Sequence, residues 1–122
     1  MNKKTVIIGS STNRERYAYL AAQRLLSHNH EIVPIGIKSG QVFGVEIQNI
    51  NERPKVDDVD TVTMYIGAVN QPAWEDYILS LDPKRIIFNP GTENPLFAKK
   101  AEEKGIETIN ACTLVMLGVG NY

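Results

Sequence analysis

The opening stretch of the chain, residues 3–17, constrains the fold most. Thr5–Ile8 has strand character, because three of its four residues are β-branched and apolar. The run ends at Gly9, and a helical pattern begins near Arg14. Glycine carries no Cβ, so the backbone there can approach a ligand closely. The first amides of a helix lack partners within it, so this order of strand, turn and helix predicts a place for an anion such as phosphate.

The turn between strand and helix is polar. Ser10, Ser11, Thr12 and Asn13 add side-chain groups that can hydrogen-bond. The turn lacks both the G-x-G-x-x-G pattern and the Lys-Ser/Thr pair of a P-loop. An ordinary strand-to-helix turn with nothing bound is therefore the alternative at this point.

Composition favours one domain without a polyanionic partner. A length of 122 residues suits a single core, so residues 1–122 are expected to form one domain. Thirteen Lys and Arg against 14 Asp and Glu leave a charge of -1, so no nucleic-acid partner is expected. A single cysteine excludes an internal disulfide, and no apolar run reaches bilayer length. A cytoplasmic protein with no membrane partner is expected.

Helical and strand patterns alternate along the chain. Helices are expected at about residues 14–28, 72–81 and 95–104, and strands at 5–8, 31–36, 61–66, 85–88 and 106–109. Segment 37–46 is expected to be a loop. Segment 49–58 is polar and contains Pro54, and at most a short helical turn is expected there. In the second helix, Asn70 or Gln71 is the expected cap, and the apolar stripe that begins at Trp74 is interpreted as core packing.

This alternation predicts a mostly parallel sheet with helices on both faces, a three-layer Rossmann-like sandwich of the α/β class. With five strands in the common order 3-2-1-4-5, the winding direction reverses between the first and fourth strands. A ligand is expected at the carboxyl ends of those two strands. The turns that leave them, residues 9–13 and 89–94, are both rich in small polar residues and glycine. Topology and composition therefore indicate the same crevice.

The end of the second strand bears on the kind of nucleotide. An NAD site expects an acidic residue there to hold the ribose hydroxyls. Segment 34–38 contains no acid and ends in Lys38. Lys38 suits a ribose that carries its own phosphate, as in NADP and coenzyme A, and a solvated loop lysine is the alternative.

Five motifs follow one another along the chain: Ile7-Ile-Gly-Ser-Ser-Thr-Asn13, Glu31-Ile-Val-Pro-Ile35, Val42-Phe-Gly44, Asn89-Pro-Gly-Thr-Glu-Asn94 and Cys112. In this order and spacing the chain resembles the small free-standing CoA-binding proteins. Those are similar to the CoA-binding domain of succinyl-CoA synthetase alpha subunits and of NDP-forming acyl-CoA synthetases. The resemblance covers nearly the whole chain up to Cys112.

The resemblance implies a Rossmann-like domain that binds coenzyme A or an acyl-CoA across the turns after the first and fourth strands. It implies four groups of cofactor-binding residues: Gly9, Ser10, Ser11 and Asn13 for phosphate; Pro34, Ile35 and Lys38 for the adenosine end; Tyr65 and Ile66 beneath the third strand; and Asn89, Gly91 and Glu93 for the pantetheine side.

No catalytic residue and no metal ligand is expected. His28 and His30 precede the second strand, at the opposite edge of the predicted sheet from Cys112, which disfavours a Cys–His pair. Cys112 is interpreted as a small buried hydrophobe, with a mixed disulfide to a CoA thiol as the alternative. Glu93 is interpreted as a helix cap or a solvent-facing residue rather than a base. In the related synthetases the phosphorylated histidine lies outside this module, so thioester synthesis is not expected.

Three functions remain open from the sequence. The first is non-catalytic binding of coenzyme A or an acyl-CoA by a carrier, sensor or regulatory module. The second is an enzyme subunit that uses NADP or another nucleotide. The third is a degenerate Rossmann domain kept for protein association. The apolar tail, residues 113–122, is expected to pack against the body or a second copy, with a homodimer or an unidentified protein as the partner.

Overall fold

The structure is a computed structural model and describes residues 2–122. Its strands are β1 (Thr5–Ile8), β2 (Ile32–Gly36), β3 (Gln41–Val42), β4 (Val45–Glu46), β5 (Gln48–Asn49), β6 (Thr61–Met64), β7 (Arg85–Phe88) and β8 (Glu107–Asn110). Its α-helices are α1 (Tyr17–Ser27), α2 (Glu75–Ser80), α3 (Pro95–Glu103) and α4 (Thr113–Val119). Short 3-10 turns lie at Ile50–Glu52, Ala68–Asn70 and Pro72–Trp74.

Six strands form one parallel sheet in the order β5-β2-β1-β6-β7-β8, and β3 and β4 form a separate antiparallel hairpin. The sheet is buried on both faces, as parallel sheets are. Val6 and Ile8 of β1 point to the layer of α2 and α3, whereas Ile7 points to the layer of α1 and α4. Burial of each such side chain contributes roughly 1.5–3 kcal/mol. The predicted Rossmann-like α/β fold is confirmed.

The predicted strand count and order need correction. The sequence predicts no strand at β5, because Gln48 lies outside the predicted elements and Asn49 begins a polar segment without a stable element. β5 nevertheless pairs with β2 through Ile35 and Gln48, and so adds a sixth strand at the sheet edge. The strand predicted third, now β6, lies beside β1 instead of outside β2. With β5 counted as the third strand of the sheet, the order becomes the doubly wound 3-2-1-4-5-6. A two-residue strand is too short to show any periodicity. The sequence pattern therefore placed the next long apolar run, now β6, at the position beside β2 that β5 occupies.

This correction moves the reversal of winding direction. The reversal lies between β1 and β6, so the crevice expected at such a point is bounded by the turns after those two strands. The turn after β7 lies one strand further along the sheet.

The tail packs against the body of the molecule. It forms α4, whose Thr113, Met116 and Leu117 are buried. Beyond the helix, the Tyr122 hydroxyl hydrogen-bonds with the Thr5 hydroxyl. No helix is predicted here from the sequence, because a seven-residue segment without a capping side chain carries little helical signal. Within residues 2–122, no helix is both long and apolar enough to cross a bilayer.

Candidate functional site

A cavity of about 670 Å³ lies at the carboxyl edge of the parallel sheet, within the size range of small-molecule sites. It is lined by four groups of residues: Gly9, Ser10, Ser11, Thr12, Glu15, Arg16, Tyr17 and Ala18 after β1; Gly36, Ile37, Lys38 and Ile50 after β2 and β5; Tyr65, Ile66, Gly67 and Trp74 after β6; and Pro90, Gly91 and Thr92 after β7. We call it the carboxyl-edge cavity.

The turn after β1 requires glycine for two reasons. Gly9 has φ +94°, and a Cβ there would lie 2.9 Å from Ile66 Cγ2 and 3.0 Å from the Tyr65 carbonyl oxygen. Its amide donates to the Ile35 carbonyl at 2.9 Å. The turn is thus held between the neighbouring strands β2 and β6. The sequence predicts a close approach of this backbone to a ligand, whereas the close approach in the structure is to the residues that follow β6.

Ser10 is a buried polar residue of this turn that lacks a hydrogen-bond partner. It is 7% exposed, and within residues 2–122 its Oγ makes no hydrogen bond. Buried hydroxyls are almost always paired in folded proteins. Because Ser10 lines the carboxyl-edge cavity, a ligand there would supply the missing partner.

The rest of the turn is braced by its own side chains. Ser11 Oγ accepts a hydrogen bond from the Asn13 amide at 3.0 Å, and Asn13 Oδ1 accepts one from the Glu15 amide at 2.9 Å. Asn13 is exposed and lies outside the cavity lining. Its side chain therefore shapes the turn.

The cavity lining includes two positively charged side chains and the start of a helix. Tyr17 and Ala18 begin α1 and line the cavity, where the first amides of a helix favour an anion. Arg16 and Lys38 line it from two sides, and neither takes part in an ion pair with an acidic side chain of the described chain. Glu15 is the acid in the lining.

The wall after β6 is more apolar. Ile66 and Trp74 both line the cavity while they pack against the core below it. Burial raises the pKa of Tyr65 to about 12, so its phenol stays protonated at neutral pH. Trp74 was interpreted as core packing alone, and the structure adds its place in the cavity wall.

The turn after β7 contributes main chain and Thr92 rather than Asn89. Asn89 is 2% exposed, and its Nδ2 donates to the Thr63 hydroxyl at 2.7 Å and to the Met64 carbonyl at 2.9 Å. Its Oδ1 accepts from the Thr113 amide at 2.9 Å. Asn89 thus joins β6, β7 and α4, and no polar atom of its side chain is left for a ligand.

Gln71 holds two walls of the cavity together. This fully buried side chain donates through Nε2 to the carbonyls of Ile66 at 2.9 Å and Thr92 at 2.8 Å. Its Oε1 accepts from Asn94 Nδ2 at 2.9 Å. The sequence pattern predicts Gln71 or its neighbour as a helix cap, because Thr92 and Asn94 lie more than twenty residues away and cannot be identified as partners from a local pattern.

Seven of the twelve predicted cofactor-binding residues line the cavity: Gly9, Ser10, Ser11, Lys38, Tyr65, Ile66 and Gly91. Asn13 and Asn89 have the internal roles described above. Pro34 and Ile35 lie inside β2 and are buried, so the adenosine end of a ligand would meet the residues that follow them. Glu93 is exposed and accepts a hydrogen bond from the Gly91 amide at 2.8 Å.

The residues that sequence analysis missed fall into two kinds. Arg16 and Ile37 adjoin predicted motifs, and their neighbours provided a signal. Ile50 and Trp74 come from 3-10 turns in segments interpreted as loop or helix, and only the packed structure brings them to the cavity.

Cys112 and the histidines lie apart. Cys112 precedes α4 at the carboxyl edge, is partly buried and is not in the cavity lining. His30 precedes β2 at the opposite edge, and its Nδ1 accepts a hydrogen bond from the Lys3 amide at 2.9 Å. Burial lowers the pKa of His30, and nearby positive charges lower it further. Among residues 2–122, no group of three or more His, Cys, Asp and Glu side chains could hold a metal ion.

The sequence also matches a known family. The family profile described as CoA binding domain aligns with residues 3–118. The chain belongs to this CoA binding domain family. The resemblance inferred from the five motifs is thereby confirmed. No curated protein matches the chain.

Solved structures share the fold of this chain. An uncharacterized protein is 53% identical, with a TM-score of 0.96 over 100% of this chain and 99% of its own. A hypothetical protein from Pyrococcus horikoshii OT3 is 24% identical, with a TM-score of 0.81 over 93% of this chain and 80% of its own. A protein from Thermus thermophilus is 18% identical, with a TM-score of 0.82 over 98% of this chain and 90% of its own. The last two likenesses show the fold alone.

Proposed function

We propose that this CoA binding domain protein binds coenzyme A or an acyl-CoA in the carboxyl-edge cavity, and that it acts through binding, as a carrier, sensor or regulatory module. The observation that carries the proposal is the buried Ser10 hydroxyl, which lines the cavity and lacks a partner within residues 2–122. A phosphate oxygen is the acceptor that this hydroxyl and the first amides of α1 would share.

The charges around the cavity support a ligand with more than one phosphate. Arg16 stands at the start of α1, beside the proposed pyrophosphate site. Lys38 follows β2 on the other side, where a Rossmann-like protein receives the ribose. A cation there favours a phosphorylated ribose, which coenzyme A has at the 3′ position.

The same lysine supports a second candidate. NADP also carries a ribose phosphate, so an NADP-dependent enzyme subunit would use Lys38 in a similar way. Family membership favours coenzyme A. The two candidates differ in the phosphate position and in the second half of the ligand.

A thermal-shift and calorimetry panel tests the proposal with coenzyme A, dephospho-CoA, acetyl-CoA, NADP, NAD and AMP. A ligand at a hundredfold excess over its Kd stabilises the native state by about 2.7 kcal/mol. Coenzyme A and acetyl-CoA should raise Tm, and dephospho-CoA should do so less at equal concentration. A response to NADP alone would support the enzyme subunit, and no response to any ligand would refute both candidates.

The contribution of Lys38 is tested by Lys38→Gln. This variant should bind coenzyme A and dephospho-CoA equally, because the cation that favours the 3′-phosphate is gone. Lys99→Gln is the matched control, since Lys99 is exposed on α3 and outside the cavity lining. A Lys38 variant that still prefers coenzyme A would remove this lysine from the site.

A further inference from the structure

We propose that the indole of Trp74 forms the surface against which the adenine ring of the bound ligand packs. This inference rests on the proposed function and specifies which part of the ligand lies at the apolar wall. Three observations carry it: the place of Trp74 in the cavity lining, the side of the cavity on which it stands, and the contact with Arg53 that fixes the orientation of its ring.

Trp74 belongs to the β2 and β5 side of the cavity, although it follows β6 in the chain. It packs against the same core cluster as Ile50, and both residues line the cavity. Ile50 directly follows β5, the partner strand of β2. The Arg53 guanidinium lies 5.1 Å from the centre of the Trp74 ring, and the Arg53 amide donates to the Ile50 carbonyl at 3.0 Å. The indole is therefore fixed beside the turn that follows β5.

That side of the cavity is the one that would receive the base. Lys38 leaves β2 there, and the ribose phosphate that it would hold is attached to the same sugar as adenine. The turn after β7, with Gly91 and Thr92, stands across β6 at the other side of the cavity. The pantetheine arm is thus directed away from Trp74.

An indole suits a flat purine. Aromatic rings bind one another through large contact areas and offset or edge-on arrangements. The Arg53 guanidinium over the Trp74 ring restrains the indole through a cation–π contact, so little side-chain order has to be gained on binding. Loss of one such base contact weakens binding by about tenfold.

The chain has a single tryptophan, so intrinsic fluorescence reports on Trp74 directly. The wild-type protein is titrated with coenzyme A, with adenosine 3′,5′-bisphosphate, which has the base but no pantetheine, and with 4′-phosphopantetheine, which has no base. Coenzyme A and adenosine bisphosphate should both change the emission, and phosphopantetheine should leave it unchanged at concentrations that calorimetry shows to be saturating.

Variants provide the second arm. Trp74→Leu should weaken coenzyme A and adenosine bisphosphate by about tenfold each and leave phosphopantetheine unaffected, whereas Trp74→Phe should keep most of the affinity. Tyr77→Phe is the matched control, because this aromatic residue of α2 lies outside the cavity lining and loses only its hydrogen bond to the Pro54 carbonyl.

The outcomes separate the two proposals. Coenzyme A binding by calorimetry with no change in Trp74 emission would overturn the adenine contact and leave the proposed function standing. A loss of phosphopantetheine affinity in Trp74→Leu, with adenosine bisphosphate unaffected, would assign the indole to the pantetheine arm instead and also overturn it. Absence of any coenzyme A binding would refute the proposed function itself. If Trp74→Leu fails to fold, the wild-type titrations still decide.

Discussion

The turns after β1 and β7 look alike in sequence and differ in the structure. Both are short, polar and glycine-containing, and each precedes a helix. After β1, the buried Ser10 hydroxyl is left without a partner in the described chain. After β7, the Asn89 side chain is fully engaged with β6 and α4. The turn after β1 therefore keeps a buried hydroxyl unpaired at the cavity, while the turn after β7 uses its asparagine side chain to hold the strand ends together.

Substitution of the glycine in each turn should give the largest difference between the two turns in coenzyme A binding. Gly9 and Gly91 have nearly equal φ, +94° and +93°, but an added Cβ would meet Ile66 and Tyr65 at Gly9 and nothing within 4 Å at Gly91. Gly9→Ala should abolish detectable coenzyme A binding, because the turn must move away from β6. Gly91→Ala should cost about 1 kcal/mol of backbone strain and keep binding. Calorimetry and thermal unfolding measure both, and equal losses at the two positions would contradict the distinction.

Substitution of one asparagine in each turn, Asn89 and Asn13, should give the next largest difference, in the free energy of unfolding. Asn89→Ala removes three buried hydrogen bonds and should lower the free energy of unfolding by about 3 kcal/mol. Asn13→Ala removes one exposed turn contact and should cost at most about 1 kcal/mol. Urea unfolding measures the difference. Similar costs at both positions would show that the turn after β7 is no more of a structural bridge than the turn after β1.

Substitution of two hydroxyl residues, Ser10 and Thr92, should separate an effect on coenzyme A affinity from an effect on stability. Ser10→Ala should weaken coenzyme A binding by about tenfold and leave the unfolding free energy within about 0.5 kcal/mol, because the lost hydroxyl has no partner in the free protein. Thr92→Val should instead lower stability by about 1 kcal/mol, since the Thr92 hydroxyl donates to the Asn89 carbonyl at 2.8 Å. Unchanged affinity in the Ser10 variant would exclude Ser10 from the phosphate site.

The smallest expected effect is the pH dependence of stability that is due to His30. This residue lies at the opposite edge of the sheet from both turns, so it serves as a negative control for them. The lowered pKa of His30 in the fold means that the folded state disfavours the proton relative to the unfolded state. Stability should therefore be complete above the ordinary histidine pKa, about 6.5, and should fall as the pH drops through that value. His30→Gln should flatten this dependence, and His28→Gln, at an exposed position, should not. Thermal unfolding between about pH 7.5 and pH 5 measures it.

The sequence was informative where the determining interactions are local. The β1 strand, its glycine turn and the start of α1 follow from the order of residues within a dozen positions, and the structure reproduces them. The five motifs also identified the family correctly. Cavity-lining residues next to a strand end, such as Lys38, could be named from the sequence because the end of a strand is visible in the pattern.

Errors arose where a role depends on distant partners. β5 has two residues and shows no period, so the strand order was assigned incorrectly. Asn89 resembled a ligand-binding residue because Thr63 and Thr113, its partners, lie more than twenty positions away. Trp74 has the spacing of a core residue and, in the structure, also lines the carboxyl-edge cavity.

By itself, the sequence determined the α/β class, the strand and glycine turn at the start of the chain and membership of the CoA binding domain family. Only the tertiary structure decided which polar groups remain free to bind a ligand. The reason is that hydrogen bonds depend on which strands and side chains are brought together, and the composition of a segment does not determine this. The side chains of Gln71 and Asn89 are hydrogen-bonded within the protein, whereas the buried Ser10 hydroxyl has no partner in the described chain.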